Sequence, residues 1–273
     1  MSVTRHAEAT AARAAHSDVL KNLARAGFVG YGIVHLLFAW LALQIAFGRP
    51  ANEGDQSGAL LTLAAQPLGR FLVIAIAVGL VAMAIWQAVE AATGHREDRG
   101  AERAAERVAS AGRTLVYLWF AWTAYQVFDH AGPSSAEKQQ ALSERLMSAS
   151  GGRWLVGAVG VGLAALGIGL VVYGVLKRFE KHLETGRMSP SVRTLSRRSG
   201  IAGYAAKGVS YGIAGLLVVV AAARYEPNKA RGLDTALHTL REQSYGAILL
   251  TLVALGIAAF ALFCFVQARY RRV

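Results

Sequence analysis

Long apolar runs alternate with short polar segments along most of this chain. A bilayer core about 30 Å thick is crossed by about 20 helical residues at 1.5 Å each. Six runs approach or exceed this length, and they lie at residues 26–47, 71–92, 108–128, 154–176, 200–223 and 247–268. The strands of a membrane barrel would instead alternate apolar and polar positions. The pattern therefore predicts an all-α integral membrane protein with six transmembrane helices.

Three of the six runs carry a charged residue that weakens the pattern. The second run reaches Ala92 only if Glu90 lies at the headgroups. Arg113 and Lys207 lie within the first two turns of the third and fifth runs. Long basic side chains at such positions can extend their charge to the membrane interface. We therefore expect all three runs to cross the bilayer.

The paired runs repeat three times. Shifting the sequence by 82 residues places 120–122 (Phe-Ala-Trp) on 38–40, which has the same residues. A shift of 176 residues places Gly208 on Gly32. One equivalent position is glycine in all three repeats: Gly79, Gly162 and Gly256. This repetition predicts three helical hairpins related by pseudo-three-fold symmetry.

The repeats define the predicted organisation of the chain. The segments are an N-terminal tail at 1–21, repeat 1 at 22–94, a connector at 95–106, repeat 2 at 107–183, a connector at 184–196 and repeat 3 at 197–273. Each repeat also has an Ala-Leu pair between its two runs, with a further leucine three or four residues on: Ala59-Leu60 with Leu63, Ala141-Leu142 with Leu146, and Ala236-Leu237 with Leu240. This spacing predicts a short amphipathic helix in each outer loop.

The net charge of +12 is unevenly distributed. Eighteen lysines and arginines lie before the first run, at 93–108, at 177–200 and after the sixth run, against nine in the three outer loops. By the positive-inside rule, both termini are predicted to lie in the cytoplasm. A basic inner face is attracted to anionic lipids, so we expect lipid rather than nucleic acid as its partner.

Two sets of equivalent polar positions are the candidate sites. His35, Tyr117 and Tyr211 occupy one position in the three repeats. Tyr31, Arg113 and Lys207 lie one turn earlier on the same helix faces. If the first helices of the repeats surround the axis, these residues form a polar aromatic ring with cytoplasmic-side lipid or anion contacts. The alternative is that they only hydrogen-bond between helices and fix the packing.

The sequence provides few signs of catalysis. It contains no phosphate-binding glycine-rich loop, nucleophile elbow or His-Glu-x-x-His helix. His35 is the only histidine within an apolar run, so a haem with two axial histidines is not expected. Cys264 is the only cysteine, which excludes a disulfide within the chain. We expect no enzyme activity, no metal and no cofactor.

The first repeat carries a recognisable set of residues. It contains Leu-Ala-Arg-Ala-Gly-Phe at 23–28, Gly32, His35, Gly-Ala-Leu at 58–60, Gly69-Arg70 and Gly79-Leu80. This set resembles the bacterial domain of unknown function 1206, and the resemblance covers about residues 22–273. Repeat 3 follows the pattern, whereas repeat 2 has Thr114 in place of the glycine at Gly32. The resemblance implies three tandem two-helix units in a bacterial cytoplasmic (inner) membrane, and it implies no activity.

Two functions are compatible with these features. The first is a non-enzymatic scaffold or accessory subunit that packs against other membrane proteins or specific lipids. The second is a small-solute or ion transporter or channel whose polar path follows the pseudo-three-fold axis past His35, Tyr117 and Tyr211. Transporters commonly have broken helices at the bilayer midplane, and no run here contains an internal proline. This absence favours the first function.

Overall fold

The structure is a computed structural model, and it describes residues 18–49, 55–93, 100–129, 135–149, 151–226, 230 and 232–272. These residues form nine α-helices and two short 3₁₀ helices, η1 and η2. The α-helices are α1 (Asp18–Ala46), α2 (Gln56–Ala64), α3 (Gly69–Thr93), α4 (Gly100–Phe128), α5 (Ser135–Ser148), α6 (Gly152–Val175), α7 (Pro190–Arg224), α8 (Leu233–Arg241) and α9 (Gly246–Tyr270). The 3₁₀ helices are η1 (Arg178–His182) and η2 (Thr185–Arg187). The all-α prediction is confirmed.

Among the described residues, five helices are long and apolar enough to cross a membrane: α1, α3, α6, α7 and α9. Helix α4 has 29 residues, but its first turns are polar and its later turns contain Arg113, Thr114, Thr123 and Gln126. It therefore lacks the apolarity of the other five helices. The chain is a multi-pass membrane protein, and the sixth span stays a prediction.

The long helices pack side by side in a ring. The second long helix of each repeat packs on the first long helix of the next, as α3 on α4 and α6 on α7. The same arrangement joins the end of the chain to its beginning, because α9 packs on α1. Gly32 makes this closure possible, since an added Cβ there would lie 2.7 Å from the ring of Phe265. The pairing supports the predicted pseudo-three-fold arrangement.

Repeat 2 departs from the predicted hairpin. Helices α1 and α3 pack together within repeat 1, as do α7 and α9 within repeat 3. Over the described residues, α4 and α6 of repeat 2 make no comparable packing contact. Helix α6 packs on α7 through glycines instead, since an added Cβ at Gly160 or Gly167 would meet the α7 backbone. The ring therefore has an opening between α4 and α6, which we term the α4–α6 slot.

A helix lies between the two long helices of each repeat, as the Ala-Leu pairs predict. In α2 the side chain of Asp55 accepts hydrogen bonds from the backbone amides of Ser57 (2.8 Å) and Gly58 (3.0 Å), which caps the helix. The pairs 59–60 and 236–237 are buried against the long helices. The pair at 141–142 in α5 is exposed, and α5 packs only on α6 among the principal contacts of the described elements. The difference again lies in repeat 2.

Candidate functional site

The first long helices of the repeats meet through a group of side chains at the centre of the ring. We term it the axial cluster, and it comprises Tyr31, His35, Tyr117, Lys207 and Phe260. The Tyr31 ring lies 4.3 Å from that of His35, 5.7 Å from that of Tyr117 and 6.1 Å from that of Phe260, measured between centroids. These edge-to-face contacts join α1, α4 and α9.

His35 is completely buried within the axial cluster. Its Nδ1 atom lies 2.8 Å from the carbonyl oxygen of Tyr31, one turn earlier on α1. Its Nε2 atom is buried without a hydrogen-bond partner. The imidazole ring lies 4.9 Å from the ring of Phe260. One polar atom near the middle of the bundle is therefore left unsatisfied, which is unusual and costly.

Lys207 is half-buried, and its ammonium contacts the interior of the bundle rather than extending away from it. Nζ donates a hydrogen bond of 3.1 Å to the hydroxyl of Tyr31. The same atom lies 4.1 Å from the ring centroid of Phe260 and 5.3 Å from that of Tyr31. No carboxylate of the described residues forms an ion pair with Lys207. The Tyr31 hydroxyl and the two aromatic rings are the contacts that compensate for this charge.

Two of the six predicted site residues lie outside the axial cluster. Tyr211 is half-buried, and no hydrogen bond or ring contact within the described chain joins it to His35 or Tyr117. Arg113 hydrogen-bonds to Glu106 at 3.4 Å and to the carbonyl of Ala109 at 3.2 Å. The structure thus brings Tyr31, His35, Tyr117 and Lys207 together, and it places Arg113 in a second group.

We term this second group the connector cluster, and it comprises Glu106, Arg113, Lys181, His182 and Arg271. Glu106 forms ion pairs with Arg113 at 3.4 Å and with Lys181. His182 approaches the same carboxylate, with Nε2 at 3.7 Å. Its Nδ1 lies 3.4 Å from the hydroxyl of Tyr173 on α6. The cluster joins α4, α6 and η1 at one end of the α4–α6 slot.

Electrostatics fix the charge of the connector cluster. Burial, together with the nearby charges of Arg271 and Arg113, lowers the pKa of His182 to about 3, so the imidazole is neutral at pH 7. Burial raises the pKa of Glu106, but the hydrogen bond from Lys181 and the surrounding basic groups outweigh it, so that the net shift is downward. Glu106 is therefore paired with Arg113 and Lys181, and with Arg271 counted the cluster carries an excess of two positive charges.

Arg271 is the most buried cation of the connector cluster, with 8% of its surface exposed. Its guanidinium lies against the rings of Phe28 (5.1 Å) and Trp86 (5.0 Å), and it donates a hydrogen bond to the side chain of Gln267. Its Nε atom is buried without a partner. The backbone here pairs with the connector, because the amide of Arg272 donates to the carbonyl of His182 at 3.0 Å.

Four members of the connector cluster were missed by reasoning from the sequence. Glu106, Lys181, His182 and Arg271 lie outside the apolar runs, where they count only toward the overall charge. Arg271 directly follows the last run, and its neighbours in the sequence are polar, so nothing in the local sequence indicates that it is buried. The available signal was the pairing of Glu106 with Arg113 at a spacing of seven residues, two turns along one helix face.

The described residues of the two clusters offer charged and aromatic contacts to a ligand. Within them, no group of three or more histidine, cysteine, aspartate or glutamate side chains could hold a metal ion. Cys264 is a buried free thiol. The two clusters offer cations, tyrosine hydroxyls and aromatic faces, which suit anionic or amphiphilic ligands.

The fold and the repeated units define a multi-pass α-helical membrane protein with three tandem domains. The chain belongs to the family described as Domain of Unknown Function (DUF1206), which matches residues 26–94, 108–177 and 202–271. The resemblance seen in the sequence is thereby confirmed. The chain is also similar to the uncharacterized protein YxxB of Bacillus subtilis (strain 168), at 29% identity over 259 residues, which cover 93% of this chain and 92% of that protein. No solved structure matches.

Proposed function

We propose that this protein is a non-enzymatic accessory bundle of the bacterial cytoplasmic membrane that binds anionic lipid at its connector end. The connector cluster carries this proposal. Arg113 and Lys181 pair with the single carboxylate of Glu106 there, and the buried Arg271 is a third cation of the cluster. The cluster lies beside helices apolar enough to lie in the bilayer. A half-buried excess of positive charge at the membrane surface attracts anionic headgroups. A lipid-binding bundle of this kind suits a scaffold that supports a larger membrane complex.

The proposal includes six spans with both termini in the cytoplasm. The bias of lysine and arginine toward the tail, the connectors and the C-terminal segment supports this topology. Helix α4 would be the sixth span, and it packs along α3 in the ring. Its Arg113 is paired with Glu106, which reduces the cost of placing that arginine near the interface.

Native mass spectrometry of the protein extracted gently from its own membranes tests the proposal. We expect bound phosphatidylglycerol or cardiolipin in excess of their share of the membrane, and co-purified membrane proteins. The variant Arg113→Gln/Lys181→Gln should lose most of the bound anionic lipid. Arg224→Gln, which removes an exposed arginine near the other end of α7, should retain it. Lipids bound in proportion to the membrane composition, with no protein partner, would contradict the proposal.

A second candidate function is transport along the ring axis. The axial cluster favours it, since Lys207 lies there without a carboxylate among the described residues and His35 retains an unpaired nitrogen. Such groups occur in proton and ion pathways through membranes. Flux of protons or small ions into liposomes should then fall at least tenfold in His35→Ala. Unchanged flux in both His35→Ala and Tyr211→Ala would remove this candidate.

A further inference from the structure

The glycine position shared by the three repeats is used differently in repeat 2. In repeat 1 an added Cβ on Gly79 would lie 2.7 Å from the Cα atom of Gly27, so α3 and α1 touch at this point. In repeat 3 an added Cβ on Gly256 would meet the Cβ of Ala206. In repeat 2 an added Cβ on Gly162 would contact no heavy atom within 4 Å beyond the nearby backbone of its own helix.

The facing helix of repeat 2 shows the same exception. Gly112 on α4 is equivalent to Gly30, whose added Cβ would lie 3.0 Å from the side chain of Ile76 on α3. Gly112 itself faces open space. Repeat 2 therefore retains small residues on both helices at the positions where the other repeats are packed. The α4–α6 slot is the space between these two bare faces.

The slot leads to the connector cluster along one face of α6. Gly162, Gly169 and Tyr173 are separated by seven and four residues, so they lie on one side of the helix. Gly169 also faces open space, whereas the hydroxyl of Tyr173 contacts His182. The apolar face of α6 that lines the slot thus ends at polar groups.

A buried cation with an unused donor lies at this end. The guanidinium of Arg271 is more than nine-tenths buried, and its Nε atom has no hydrogen-bond partner. It lies within electrostatic range of Arg113 on α4, Tyr173 on α6, and Tyr117 and Tyr204. An anion placed among these groups would offset part of the cluster's excess positive charge and accept hydrogen bonds from Arg113 and Arg271.

We propose that the α4–α6 slot binds one anionic phospholipid, with its phosphate at Arg113 and Arg271 and an acyl chain along Gly162 and Gly169. This site deepens the proposed function and rests on it. The ligand needs an apolar chain for the bare glycine faces and a negative charge for the cluster, and a phospholipid has both. Closure of α4 onto α6 would cover the glycines but leave the charge uncompensated.

Lipid titration of the delipidated protein by native mass spectrometry tests the site. The first phosphatidylglycerol molecule should bind to the wild type with an affinity at least tenfold higher than that of the first phosphatidylcholine molecule. Arg271→Gln, which removes the headgroup charge, and Gly162→Phe, which fills the slot, should each weaken that first site at least tenfold. Arg272→Gln and Val161→Phe are matched controls, since they alter exposed neighbours of the same two residues, and they should bind as the wild type does. Inorganic phosphate should not displace the lipid.

Each outcome separates this site from the proposed function. If wild type and both variants bind phosphatidylglycerol equally well, the site is wrong and anionic-lipid binding elsewhere remains. If the wild type does not distinguish the two lipids, the proposed function itself fails. If inorganic phosphate alone displaces the lipid, the site binds a free anion and the phospholipid proposal is wrong. Arg271→Lys, which keeps the charge, should restore most of the binding, and it shows that loss in Arg271→Gln is not misfolding.

A cross-linking experiment tests whether the slot instead closes on itself. In a Cys264→Ala background, Gly112→Cys/Gly162→Cys places one thiol on each wall, and a disulfide needs Cα atoms within about 7 Å. We expect little cross-linking when phosphatidylglycerol is bound. Efficient cross-linking at saturating lipid would overturn the proposal.

Discussion

Tyr31 and Lys207 occupy equivalent positions in repeats 1 and 3, and the tyrosine hydroxyl accepts a 3.1 Å hydrogen bond from the lysine ammonium. The third equivalent residue, Arg113, is directed to Glu106 instead. Two cations close together near the axis would repel one another strongly where water is scarce. Divergence at one repeated position has therefore produced a complementary donor and acceptor, and it has directed the remaining cation to a carboxylate.

The Tyr31–Lys207 pair gives the first prediction. Tyr31→Phe removes the oxygen that the Lys207 ammonium contacts, and leaving a charged donor unsatisfied costs about 1–3 kcal/mol of unfolding free energy. Lys207→Met removes the charge and keeps an unbranched chain, so it should cost less or be stabilising. Thermal unfolding in mild detergent measures both. A Lys207→Met variant less stable than Tyr31→Phe would contradict the assigned interaction.

The repeated glycine gives the second prediction. Gly79→Ala should destabilise the protein by about 1–3 kcal/mol, because its Cβ would overlap the backbone of Gly27. Gly162→Ala introduces the same methyl group into open space, and it should be neutral or stabilise the helix by up to about 1 kcal/mol. The two substitutions are matched in sequence context, so unfolding in denaturant compares them directly. Equal losses of stability would show that α6 packs on α4.

The sequence predicts the structural features that the three repeats share, but it does not predict how the packing of repeat 2 differs from that of the others. Apolar runs and recurring glycines give the helices, the three units and the short outer helices, because each depends on local periodicity. The equivalence of Gly79 and Gly162 predicts equal packing, and the structure shows otherwise. Whether another helix packs against a given glycine depends on the position of that helix, and the local sequence pattern does not encode this position.

The axial cluster was partly predictable, whereas only the Glu106–Arg113 pair of the connector cluster had a local signal. Helical spacing places Tyr31 and His35 on one face, and repetition places Lys207 and Tyr117 near them. The burial of Arg271 depends on Phe28 and Trp86, which are distant in sequence. Such a contact between distant segments has no local signature.

Acidification should weaken the fold through His182, which gives the third prediction. The pKa of His182 is about 3 in the folded protein, against about 6.5 in an unfolded chain. Between these values the unfolded state binds the extra proton, so stability falls as pH falls, by at most about 1.4 kcal/mol per pH unit for one proton. Glu106, whose pKa is lowered, adds a loss of the same sign below about pH 4.5.

Thermal unfolding at pH 7, 6 and 5 checks this dependence. His182→Gln should reduce the fall in stability over this range, because glutamine gains no proton when the protein unfolds. His238→Gln, which removes an exposed histidine on α8, should keep the wild-type slope. The assignment is wrong if both variants follow the same curve.

The topology gives the fourth prediction. If α4 crosses the bilayer, the two ends of the chain lie on the same side of the membrane. Single cysteines at Ser2 and Arg272 in a Cys264→Ala background should then both resist a membrane-impermeant maleimide in intact cells and react after lysis. A cysteine at Arg49, in the loop after α1, should react in intact cells. Labelling of only one terminus would indicate an odd number of spans.

Closure of the ring by α9 on α1 has a consequence for biosynthesis. Helix α1 ends at Ala46 and α9 begins at Gly246, so at about 5–20 residues per second α1 waits some tens of seconds for its neighbour. During that interval the face of α1 around Gly32 borders lipid or an insertion chaperone. The nascent bundle is then an incomplete circle, and proteases that survey the membrane would meet it in that form.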